Sequence, residues 1–422
     1  MPHPLRSALL CLALCIGAGS GWSQTAPAPS AVVAHYAALG HALFSDALQG
    51  ARELEQATDA LLAKPSAETL AAARDAWRAA RIPYLQSEVL RFGNPVVDDW
   101  EGKVNAWPLD EGLIDYVSGD YHSELGNPAA RANLIANPVL EISGTQLAAD
   151  PITPELLAQF HELAGSEANV TSGYHAIEFL LWGQDLNGSG PGAGERPYTD
   201  FSVGPDCSGG NCQRRADYLR AAVTLLIDDL NWMAAQWAPG NPANYRAELL
   251  ALPPEQALGR ALFGMGSLSL GELAGERMKV ALEANSTEDE QDCFSDNTHW
   301  SHYYDGLGIR NIYLGEYRRP SGERLAGPSL GALVAARDPA LHARTLAALD
   351  RTQAALQAMV DRAEASPAMK FDQMIGPGNA EGARLIGHAI QALVAQTALL
   401  EQLAPVLGID HLHATGAAHN AE

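Results

Sequence analysis

Long runs of apolar residues at helical spacing leave this chain few folds other than a helical one. Val33, Tyr36, Leu39, Leu43 and Leu54 recur at that spacing between Ala31 and about Lys64, and Leu219, Val223, Leu226 and Leu230 repeat the pattern after Gln213. Leu258, Leu262, Met265 and Leu273 do the same across 255–284, and 330–364 and 380–405 read as two closing helices. Strand formers are thin, Ala and Leu are abundant, and 47% of the residues are hydrophobic, enough for a large core. The expectation is an all-α protein built from two helical bundles of about four long helices each.

The breaks between the runs set the organisation. Pro65 ends the first helix, Ser66 caps the second, and Pro83 predicts a kink in it. Residues 128–148 and 153–165 read as shorter helices. Glycines and prolines make 92–121 irregular, the helical pattern breaks again over 288–317, and both segments mix acidic with aromatic residues. The run Gly188–Gly194 is a flexible crossing. The expected units are a signal segment 1–23, a bundle 31–187, a connecting loop 188–212 and a bundle 213–408. Each half ends on His-Ala-Ile, at His175–Ile177 and His388–Ile390, which suggests an internal duplication. In the second copy Gln391 stands where the first has Glu178, so the second lacks that carboxylate.

The stretch Gly173–Asp185 holds the chemistry. His175 and Glu178 lie three apart on a predicted helix, so they share one face, one turn apart. Helical pre-ordering lets such a pair bind one metal ion. It equally allows a plain His–Glu hydrogen bond in a helix core. A metal needs further donors, and Glu101 leads the candidates, followed by Glu88, Asp110 and Glu111. Asp296 and His299 in the second irregular segment are candidates from the other half, with His299 alternatively bonding its own neighbours. Arg277 is expected to pair with a site carboxylate or, locally, with Glu272 or Glu276. Imidazole and carboxylate donors without thiolate favour iron, manganese or zinc.

Gly173-Tyr-His175-Ala-Ile-Glu178 running into Phe179-Leu-Leu-Trp-Gly-Gln-Asp185 resembles the imelysin family, also called M75 peptidases or iron-regulated A-type proteins. Phe92–Pro95, Trp100-Glu101, Asn105–Gly112, Glu272–Met278 and Cys293–His299 resemble the same family, in the same order. The resemblance implies iron as the metal and a part in bacterial iron acquisition, with another envelope protein as partner. It also carries the label peptidase. The familiar zinc peptidase helix has His-Glu-x-x-His or His-x-x-Glu-His, and here Phe179 follows Glu178. Metal carriage is therefore expected ahead of a metallopeptidase using the same pair. A metal-free module that holds a peptide or protein in the groove between the halves is the third reading.

The formal net charge of −23 disfavours nucleic acid and anionic membrane surfaces as partners. Residues 1–23 read as a secretory signal, with Arg6, an apolar run Ala8–Ile16 and small residues before Gln24, which predicts a periplasmic protein. Cys15 is a lipidation candidate with a bulky Leu14 before it, and only lipidation would bring membrane association. No later apolar run is expected to span a bilayer. Cys207 and Cys212 can close a small disulfide, which leaves Cys293 odd. No Cys-x-x-Cys-His is present for covalent haem.

Overall fold

The computed structural model describes residues 26–119, 121–123 and 126–409. The expected signal segment 1–23 with Cys15, and the chain from His411 onward, lie outside the described residues. The protein is mostly helical. The long helices are α1 (Pro29–Ala63), α2 (Ala67–Ser87), α3 (Pro95–Asn105), α4 (Gly173–Trp182) and α5 (Cys212–Trp237). Next comes α6 (Pro254–Ser267), followed by α7 (Thr298–Leu314), α8 (Pro339–Ala363) and α9 (Ala380–Leu407). Helix α6 runs without a break into a π-helix, Leu268–Val280, and a last α-turn, Ala281–Ala284.

Helix α1 packs along α2 and α5, with α4 laid against α2 and α5. Helix α9 packs on α8, α6 and the π-helix, and α7 joins the two groups by lying against both α8 and α2. The buried apolar side chains of both groups form one contiguous cluster. Helix α9 is long and apolar enough to cross a membrane by composition, at mean hydropathy 1.3, contrary to the expectation from the sequence. Here it packs as a bundle helix.

Ser66 caps α2 as expected, forming a reciprocal box with Thr69. Pro83 is accommodated inside α2, which continues to Ser87. Three expectations need correction. Segment 92–121 is not irregular throughout, because Pro95 starts α3 from the first turn, where its missing N–H costs nothing. Residues 139–148 form a hairpin rather than a helix: β1 (Val139–Ile142) pairs antiparallel with β2 (Thr145–Ala148). Its two-residue turn is Ser143-Gly144, both at positive φ, which matches the twist of paired strands. Segment 288–317 contains the 17-residue α7, whose glycines serve close packing rather than breaking the helix. A Cβ at Gly308 would stand 2.5 Å from the Gln86 carbonyl oxygen of α2.

Helix α4 is buried along all its residues. It starts at Gly173, where φ is +82° and a Cβ would lie 2.5 Å from the carbonyl oxygen of Val104, near the end of α3. Only glycine meets both demands. That contact fixes the register of His175 and Glu178 against α3.

Candidate metal centre

Spacing of three on α4 brings His175 Nδ1 to 2.9 Å from Glu178 Oε2. The residues are 1% and 0% exposed. Both readings of the pair meet in this geometry: it is a hydrogen-bonded core pair as it stands, and a two-donor ligand when an ion takes the place of the shared proton.

The third donor is Asp292, which sequence reasoning passed over. Its Oδ1 lies 3.8 Å from His175 Nδ1. One ligand atom each from His175, Glu178 and Asp292 fit within 4.8 Å of one another. Asp292 sits in the turn before α7 and is held from several sides. Arg81 Nη2 donates to its Oδ1 at 2.8 Å, and Asn297 and Ser301 donate to its Oδ2. Ser295, three residues on, donates to Glu178 Oε1 from its backbone N–H at 2.9 Å and its hydroxyl at 2.7 Å. The signal that could have found Asp292 is Arg81 on the apolar face of α2, since a buried guanidinium calls for a buried carboxylate.

The electrostatics separate the three groups. Burial, and then the charge of Arg81, push the His175 imidazole down to about 3. Burial, and then Asp292, push the Glu178 carboxyl well above its ordinary range. Burial, the largest single influence, opposes ionisation of Asp292 too, but Arg81 together with His175, Ser301 and Asn297 outweighs it and holds that carboxyl below the usual value. His175 Nε2 is buried and unpartnered. The atoms that converge, with Nδ1 as the imidazole nitrogen nearest both carboxyl groups, are the nitrogen and oxygen donors that suit a divalent metal.

The other predicted residues are distributed around this triad. Glu101 stands one layer out: Arg81 donates to Asn105 at 2.6 Å, Asn105 to Glu101 at 2.9 Å, and Arg91 pairs with Glu101 at 3.3 Å. Arg277 pairs both locally and across the fold, with Glu272 at 3.1 Å, Glu88 at 2.7 Å and Asp305 at 2.9 Å. Glu111 accepts from Gln184 and lines the same small cavity as His175. Asp110 takes hydrogen bonds from Tyr121 and Asn127. His299 turns to Glu364, at 2.7 Å from Nε2. Asp296 joins Asp185 and Asp372 rather than the His–Glu pair. His388, the counterpart of His175 in the second His-Ala-Ile, lies on the exposed face of α9. Cys207 and Cys212 form the expected disulfide, and Cys293 is a free thiol at the small cavity.

That cavity is about 10 Å³, room for roughly one water. Trp107 and Pro108 line it and also line a groove of about 430 Å³. The groove presents Asp98, Asp99, Glu101, Glu162, Glu167, Glu272, Glu276 and Asp289 against Arg91 as its single basic residue. Its acidic lining favours cations, and Trp107 and Pro108 are shared between the groove and the cavity beside His175.

A sequence model described as imelysin, peptidase M75, matches residues 39–400. The iron-regulated protein A of Synechococcus elongatus is 41% identical over 61 residues, 14% of this chain and 17% of that protein, so the match spans under a fifth of the relative. The crystal structure of an iron-regulated protein A precursor from Parabacteroides distasonis superposes with a TM-score of 0.62 at 20% identity, covering 91% of this chain and 97% of that one. An imelysin-like protein from Psychrobacter arcticum superposes with a TM-score of 0.57 at 16% identity, over 91% and 98% of the two chains. At these identities the structural likeness is one of fold.

Proposed function

The chain belongs to the imelysin family, and from that premise we propose that it is a secreted metal carrier that binds iron for uptake. The observation that carries this reading is the buried triad of His175, Glu178 and Asp292, in which one nitrogen or oxygen donor from each lies within 4.8 Å of the others. The names of two relatives connect them with iron, and the Parabacteroides protein is described as a precursor, which supports export to the periplasm. The iron is cargo. The acidic groove would gather it, Glu178 would release its proton to solvent on binding it, and Arg81 would help keep Asp292 ionised to receive it.

Peptide cleavage fits less well. A scissile peptide must reach the metal, and the cavity beside His175 holds about one water. A second envelope protein that docks at the groove to receive the ion completes the proposal. We read the two groups of helices as descendants of one duplicated bundle, with the ion held by the first copy and the turn before α7.

The test is metal content by mass spectrometry after loading with Fe, Mn and Zn in competition. The wild type is expected to retain about one equivalent, with iron preferred, after desalting. His175→Ala, Glu178→Gln and Asp292→Asn are each expected to lose it while keeping their helical circular dichroism. Equal retention in all four proteins would sink the proposal and leave the pair as a core hydrogen bond.

A further inference from the structure

Asp185, Asp296 and Asp372 come from three separate segments. Asp185 follows the end of α4, Asp296 lies in the turn before α7 at φ +53°, and Asp372 stands in the short helix Phe371–Ile375. One carboxylate oxygen from each lies within 4.8 Å of the others. Asp296 and Asp372 are 4% and 1% exposed. Among the described residues no side chain donates to Asp372, whose carboxyl is met only by the backbone N–H groups of Asp372 and Gln373 at the start of its helix, and Oδ1 of Asp296 has no partner. Asp185 is oriented by its neighbour, since Asn187 donates to its Oδ1 from both the backbone and the side chain at 2.9 Å.

Several buried carboxylates elsewhere in this protein have a guanidinium. Asp292 has Arg81, Glu88 and Asp305 have Arg277, and Asp115 has Arg196 and Arg215. Among the described residues, no Lys or Arg forms an ion pair with Asp185, Asp296 or Asp372. Lys370, the nearest candidate by sequence, is engaged with Glu364 at 2.8 Å. A fourth carboxyl, that of Glu290, is 2% exposed with Oε1 unpartnered. Asp372 and Asp296 are among the charges that raise it. Like-charged groups are not brought together in a low-dielectric interior without a counter-charge or protons. Protons can supply part of that balance when no ion is bound: burial first, and then the neighbouring aspartates, push Asp372 up to about 8 and Asp296 up to about 7, so a cation here competes with protons.

We propose that Asp185, Asp296 and Asp372 form a second cation site, distinct from the His175 triad, that takes a hard divalent ion of the calcium, manganese or magnesium class. The donors are all carboxylate oxygen, with no imidazole or thiolate, which selects that class. The site clamps three segments. Asp185 is tied to α4, which carries His175 and Glu178. Asp296 adjoins Ser295, which bonds Glu178, and is four residues from Asp292. An ion here fixes the turn before α7 against α4, so it positions one side of the first site.

The experiment uses the His175→Ala/Glu178→Gln protein, in which the first site is disabled. It therefore tests the second site whether or not the first carries iron. After chelation and desalting, thermal unfolding is followed with CaCl2, MnCl2 or MgCl2 in turn, and bound metal is counted by mass spectrometry. At hundredfold excess over Kd, the favoured ion is expected to raise Tm by about 3–6 °C and to bind near one equivalent. Adding Asp372→Asn is expected to abolish the shift while raising the cation-free Tm, because a neutral amide removes one of the crowded carboxyls. Asp185→Asn, at the more exposed corner, is expected to weaken the shift without loss of fold. No shift with any of the three ions, or an equal shift with Asp372→Asn, overturns the proposal.

Discussion

Arg81 is fully buried between Asp292 and Asn105, and its guanidinium decides which carboxyl beside His175 stays ionised. Truncating it strands Asp292 as an unpaired buried charge, which typically costs about 3–5 kcal/mol. Arg81→Met is therefore expected to lower the urea midpoint of unfolding sharply. Arg81→Met combined with Asp292→Leu is expected to recover much of the loss, because no orphan charge remains. A loss that persists in the double variant would mean that Arg81 acts through packing against Trp77, Tyr84 and Tyr174 instead. Among the residues of the site, His175 and Glu178 could be read from the sequence, since helical spacing alone puts them on one face. Asp292 could not. It is distant in the chain, carries no periodic signal, and is brought to His175 only by the packing of the α7 turn against α4.

At the scale of elements, the long helices were visible because each has an unbroken apolar stripe. One misreading fell where glycine serves contact instead of turning. Helix α7, in a segment expected to be irregular, contains Gly306 and Gly308, and each lies where a side chain would collide with a neighbour, Leu356 in one case and the Gln86 backbone in the other. Gly308→Ala is expected to destabilise by roughly 1–3 kcal/mol through overpacking against α2. Because α7 follows directly from the Asp292 turn, the same change is expected to weaken metal retention as well. Differential scanning calorimetry and metal counting on the one variant check both effects; an unchanged Tm would show that α2 and α7 have slack between them. The π-helix likewise left no mark in the sequence. Its wider turn accommodates Glu272 and Arg277, five apart, in an ion pair at 3.1 Å.

For the molecule as a whole, stability should depend on pH in a direction set by its buried acids. Between pH 7.5 and 8.5 the ordinary histidine is largely neutral whether the chain is folded or not, so carboxyls dominate. Burial, and then Glu288, push Glu111 up to about 8, above its ordinary value, and burial and then Asp296 push Asp372 alike. The folded state then binds protons that the unfolded state has already released, so stability falls as pH rises through this window. In chelator, the urea midpoint at pH 7.5 is expected to exceed that at pH 8.5 by the equivalent of about 1 kcal/mol. Glu111→Gln is expected to flatten the profile, and a slope of the opposite sign would contradict the assignment. Self-repulsion at a net charge of −23 acts in the same direction.

The lip formed by Trp107 and Pro108, with room for about one water behind it, has a kinetic meaning. Were an ion held at the triad as proposed, a cavity of this size would offer it little room to leave, and its departure would wait on the breathing of that lip. Dissociation would then run at the rate of a protein motion, not at the rate of ligand exchange in solution. Two metals of similar affinity would share nearly the same residence time, and which one the molecule carries would record the order in which it met them.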